Sequence, residues 1–187
     1  MPLPPETERT LRAAGGRRRA SGRPDVPTIV RTLRDLSAGS EALVALFDAR
    51  SIAGERHLYS AWAHLGRSRG RGEARLRDRG AELSLYVAGD DQLPRALEKV
   101  GVGPSTEQVV LVAERPFDPA ALLERFELDP DPTAYPRAAD ATTLDRLGIT
   151  AEERRDVPAS AWEGLVLERV ALVELATPAK HAPTGKH

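Results

Sequence analysis

Two short apolar runs constrain this chain more than any other feature: ALVALFDA at residues 42–49 and EQVVLVA at 107–113. Both end in charged or turn-forming residues and are too short for a core helix, so each reads as a strand buried on at least one face. The second is the clearest strand signal in the sequence. The stretches around them follow a helical period. Val26, Ile29, Val30, Leu33 and Leu36 predict a helix with Asp25 as N-cap, Pro27 in the first turn and Gly39 as the stop. A second helix opens after Gly54 on the stripe Leu58, Ala61, Trp62 and Leu65, with the segment GRSRGRG at 66–72 ending it.

Residues 73–88 fit two templates, and the reading adopted is a helix over 73–79 with a strand over 82–87. Asp90 is expected to cap a helix carrying Leu93, Ala96, Leu97 and Val100. Asp118-Pro119 opens another that ends near Glu127, and the acidic, proline-spaced loop 129–136 is expected at the surface. Thr150 with Glu153, and Ser160 with Glu163, have capping-box spacing. The last helix, holding Trp162, Leu165 and Val166, is expected to pass into a strand at 170–175. Strands and helices without strict alternation predict a mixed α+β fold: one domain with a small mixed or antiparallel sheet covered by helices.

The 187 residues, 41% hydrophobic and 29% charged, suffice for one core and exclude disorder throughout. Residues 1–23 hold few large apolar side chains and a GRRR run, which predicts a disordered basic tail. Residues 177–187 read the same way, leaving 24–176 as the domain. The lack of cysteine excludes disulfides, thiolate zinc sites, thiol nucleophiles and cysteine-held iron–sulfur clusters. No apolar run approaches the roughly 18–20 residues of a membrane span, and the first residues lack a secretory apolar stretch, so a cytoplasmic chain without membrane contact is expected.

Charge is lopsided along the sequence. Residues 1–80 carry 16 arginines and 9 acids, net +7, whereas residues 81–187 carry 11 basic groups and 19 acids, net −8. A basic first half suits phosphate. Within it Arg67, Arg69 and Arg71 alternate with Gly and Ser, a pattern that matches phosphate oxygens but offers no aromatic ring on which a base could stack. His57 and His64 lie on one flank of the helix after Gly54, about 10 Å apart, too far to share a metal ion. They read either as border residues bonded to neighbouring elements, as a ridge of donors for a ligand, or as a general base. Phosphate-binding, GxSxG and HExxH signatures are absent, and nothing nominates a nucleophile, a cofactor site or a metal site. Binding or regulation is therefore favoured over catalysis.

Three blocks taken together, LFDARSIAGERHLYSAWAHL, GEARLRDRGAELSLYVAGDDQLPRALEKVGV and WEGLVLERVALVEL, resemble the KEOPS-complex subunit that binds the complex's kinase-like ATPase, the PRPK-binding protein family, and its archaeal members in particular. The likeness covers about residues 25–175. It implies an α/β domain that is not itself an enzyme. Such a subunit docks on the ATPase subunit and recruits tRNA by its 3′ CCA end, for threonylcarbamoyl modification of the adenosine next to the anticodon. The shared pattern places His57, His64, Tyr86, Gly89 and Gln92 among its members. Arg56, Arg67, Arg69, Arg71 and Arg95 would add a basic surface, giving ten candidate RNA-binding residues. The chain departs from the pattern at Leu65 and at Asp90 and Asp91, where a base is usual, and acids there would weaken phosphate binding unless Arg95 compensates. Two other readings stand beside this one: a small enzyme using His57 or His64 as general base, and a pure scaffold without RNA contact.

Overall fold

A computed structural model describes residues 10–19, 25–38 and 42–176. Of the four strands that the sequence predicts, those of the two apolar runs form, as β2 (Val44–Asp48) and β3 (Gln108–Glu114), and they pair antiparallel with Leu46 opposite Leu111. Two more strands complete the sheet. β1 (Leu11–Arg18) runs antiparallel along β3 from Leu11 opposite Glu114 to Arg17 opposite Gln108, and β4 (Leu128–Pro130) pairs with the end of β1. The order is β2-β3-β1-β4, antiparallel throughout.

β1 corrects the expectation of a disordered tail over residues 1–23. Its small residues, which look unable to form a core, are required by close packing. A Cβ on Gly15 would lie 2.3 Å from the Asp131 carbonyl oxygen, and one on Gly16 would lie 2.7 Å from Leu123 Cδ2. Backbone pairing on both sides supplies what the side chains lack. The flanking residues 1–9 and 20–24, and the expected tail 177–187, lie outside the described residues, as does the predicted stop at Gly39.

One face of the sheet is covered by α1 (Val26–Ser37) and α5 (Pro119–Arg125). Asp25 caps α1 by accepting from the Thr28 N–H at 2.8 Å, and Ile29, Leu36, Leu123 and Phe126 pack on Leu46, Val109 and Leu111. The opposite face carries α2 (Glu55–Gly70), α3 (Arg79–Ala88), α4 (Leu93–Val100), α6 (Ala141–Arg146) and α7 (Trp162–Leu175). Leu58, Leu65, Leu83, Val87, Val166 and Val170 form the larger core there with Phe47, Val110 and Val112. The chain is thus a single α+β domain, four antiparallel strands packed with seven helices among the described residues.

Several local expectations change. Residues 79–88 are one helix rather than a helix and then a strand. Every residue from Glu82 to Ala88 is buried, so no polar face remains to reveal the period. α7 likewise continues through residues 170–175 instead of becoming a strand. α2 runs on through Arg69 to Gly70, because the Arg69 side chain is anchored beyond the helix. α4 is capped at Gln92, and Asp90 stands two positions before it, accepting from the Gln92 N–H at 3.0 Å. Thr150 and Glu153 form their reciprocal bonds around a turn rather than a helix, and no side-chain bond caps α7. The loop at 129–136 is only partly at the surface: it opens in β4, and Asp131 and Ala134 are buried.

Candidate nucleic-acid interface

The residues of the sequence pattern converge on the layer made by α2, α3 and α7, and most act inside it. Buried Asp48 forms an ion pair with the partly exposed Arg50 at the end of β2, with Arg50 Nη2 at 2.6 Å and the Thr106 hydroxyl donating at 2.8 Å. Burial pushes the Asp48 carboxyl up, but the bonds from Arg50 and Thr106 outweigh it and hold the group below the usual carboxylate range. This cluster fixes the entry to α2.

His57 is fully buried. Its Nδ1 accepts from the Ala53 N–H at 3.1 Å and its Nε2 faces the Val87 carbonyl oxygen at 3.0 Å, so the proton resides on Nε2. Burial pushes the imidazole down to about 4 against the raising effect of the Val87 bond, and the ring is neutral at pH 7. These facts correct the expectation for His57: it ties α2 to α3 and has neither exposure for RNA nor a free nitrogen for a general base. Tyr86 is corrected for the same reason. It is fully buried, stacked on His64 with centroids 6.2 Å apart at 20°, and its hydroxyl has no hydrogen-bond partner among the described residues.

Gly89 ends α3 in the left-handed conformation, φ 60°, with its N–H donating to the Tyr86 carbonyl at 3.1 Å. A Cβ there would stand 2.7 Å from the Arg169 Cβ, so the glycine lets α3 close on α7. Its role too is structural. Gln92 is exposed at the start of α4.

The arginine segment is largely neutralised by acids that sequence spacing does not reveal. Glu174 of α7 accepts from His64 Nδ1 and from Arg71, and Arg67 Nη2 lies 3.8 Å away. Burial raises the Glu174 carboxyl, but the bonds from Arg71 and His64 prevail and hold it below its ordinary value. Arg71 also pairs with Glu73 at 2.8 Å. Arg69 points the other way, into a pair with fully buried Glu82 and onto the carbonyls of Leu76 and Arg77. It is therefore a strut under the 73–78 loop, which corrects its assignment to the RNA surface. Arg95 meets Asp90 and Asp91 at 3.1 and 3.2 Å, so it neutralises the departures from the pattern rather than compensating for them.

Arg56, Arg67 and Arg71 remain at the surface, Arg56 with a long 3.5 Å contact to Glu163. Arg56 and Arg67, eleven positions and about three turns apart, share one outward face of α2, about 16 Å from end to end. Tyr59, which sequence reasoning passed over, lies near that face. It is half exposed and edge-on to Trp62, with centroids 6.2 Å apart at 87°. Its position off the apolar stripe Leu58, Ala61 and Leu65 was the available signal. It is an exposed aromatic ring on α2, and the GRSRGRG segment has none. His64, Arg67 and Arg71 are thus brought together at Glu174. Gly89 and Arg95 line a separate groove of about 280 Å³ with Arg169 and Leu172.

Among the described residues no group of three or more His, Asp and Glu can hold a metal ion, and no helix is long and apolar enough to cross a membrane. No protein-family model and no curated protein matches this chain.

Proposed function

We propose that this chain is a non-catalytic subunit of a KEOPS-type complex, which binds the kinase-like ATPase subunit and recruits tRNA by its 3′ CCA end for threonylcarbamoyladenosine formation. The observation that carries the reading is the convergence of three sequence-distant blocks on one unit. His57 bonds to Val87, His64 meets both Tyr86 and Glu174, Arg69 pairs with Glu82, and Gly89 seats against Arg169. A pattern that a binding-protein family shares for its scaffold has this form: most of the pattern residues lie inside, and a surface is left for partners.

On that surface the tRNA contacts are Arg56, Tyr59, Arg67 and Arg71, with His64 at their border. Arginines hold the phosphates of the single-stranded acceptor end and the tyrosine ring stacks a base. Three phosphate contacts predict a slope of log affinity on log salt of roughly −2. The Arg56→Glu, Arg67→Glu double variant should lose at least about tenfold in tRNA affinity and flatten that slope. An unchanged slope would sink the assignment. The general-base alternative rests on His64 alone, through its bond to Glu174. It requires turnover that Glu174→Gln reduces while Arg56→Glu does not.

A further inference from the structure

Between α1 and the α3–α4 pair, a groove of about 430 Å³ runs along the outer edge of β2. Among the described residues β2 is a terminal strand, paired with β3. The Glu114 N–H donates to the Leu43 carbonyl at 2.9 Å, and Val44 stands opposite Ala113. This register puts Leu43, Ala45 and Phe47 in the hydrogen-bonded positions and turns the N–H and C=O of Val44 and Leu46 away from β3. α3 closes the first of these: a Cβ on Gly80 would lie 2.4 Å from the Val44 oxygen. Leu46 is left open. It is 6% exposed, lines the groove, and its outward N–H and C=O find no hydrogen-bond partner among the described residues.

The walls are apolar. Val30 and Leu33 of α1 stand on one side and Leu93 and Leu97 of α4 on the other, with Val30 45% and Leu97 47% exposed. The hydroxyls in the groove are already used, Ser37 donating to Leu33 and Ser84 to Gly80. Asp78 is engaged in capping α3, accepting from the Ala81 N–H at 2.6 Å. Arg34 also lines the groove and makes no ion pair with a described residue.

A main-chain donor and acceptor at the floor, apolar walls and one unpaired cation specify an occupant. We infer that the groove is a strand-addition site for an extended segment of a partner protein. One residue of that segment exchanges two main-chain bonds with Leu46, its neighbours are apolar, and an acidic residue reaches Arg34. The chain's own remaining segments fit poorly. Residues 1–9 include three prolines, which lack the N–H, and residues 177–187 combine two prolines with two lysines that would meet Arg34. The inference does not depend on the RNA reading.

The probe is an eight-residue peptide of alternating valine and threonine ending in two glutamates, titrated into the full chain with amide resonances followed by NMR. Binding should move the Leu46 amide and slow its hydrogen exchange. Leu97→Asp should weaken binding at least about tenfold, and Arg34→Glu about fivefold. N-methylation of the central valines should abolish it. Both positions are exposed, so an unchanged melting temperature verifies that the variants fold. No shift at about millimolar peptide, or binding indifferent to N-methylation, overturns the inference. A self-associated form of the chain that Leu97→Asp dissociates would place a second copy in the groove and overturn it as well.

Discussion

The buried imidazole of His57 makes stability depend on pH on the acid side of neutrality. In the folded chain His57 titrates at about 4, whereas an unfolded chain binds that proton near the ordinary value of 6.5. The native pKa is depressed, so the unfolded state takes up the proton first as pH falls. Stability contributed by the neutral ring is complete above about pH 7 and is lost progressively between about 6.5 and 4. A shift of this size corresponds to about 3 kcal/mol in full, of which about 2 kcal/mol disappears between pH 7 and pH 5. Asp48 and Glu174, both held below their ordinary values, lose their contributions only at lower pH. The assay is urea unfolding of the parent chain and of His57→Gln at pH 7, 6 and 5. The parent should lose about 2 kcal/mol more than the variant over that range, and the difference between the two curves removes what they have in common. Equal slopes would refute the claim that His57 is a neutral bridge between Ala53 and Val87.

Two further substitutions probe the helical layer. Gly89→Ala forces a left-handed residue to carry a Cβ against Arg169 and should cost at least about 2 kcal/mol in urea unfolding; an unchanged midpoint would contradict the described closure of α3 on α7. Glu174→Gln removes the acid shared by His64, Arg67 and Arg71 and should raise tRNA affinity about threefold, measured by fluorescence anisotropy. Unchanged or weakened binding would place the RNA elsewhere.

Much of the fold was legible because local and tertiary demands coincide in places. α1 has its Asp25 cap and one apolar stripe, β3 is a continuous apolar run, and Asp118 with Pro119 starts α5. Legibility fails where burial is complete or where backbone pairing replaces side chains. α3 is enclosed on all sides, so its alternating Ala81, Leu83, Leu85 and Val87 mimic a strand. β1 is stabilised by neighbours on both edges, so its glycines resemble a tail. The site shows the same division. The motif residues were found, yet their spacing could not show that His57 and Tyr86 point inward or that Glu82 and Glu174 reach Arg69 and Arg71 from 13 and 103 positions away. Tyr59 was missed because an isolated surface aromatic carries no period of its own.

The central claim is that the chain holds a tRNA acceptor end on the outer face of α2 and leaves chemistry to other proteins. Equilibrium binding of the purified chain to one tRNA, intact and with its terminal CCA removed, tests it most directly. Intact tRNA should bind and the trimmed form should lose most of its affinity. Equal binding of both forms, or of neither, would contradict the account.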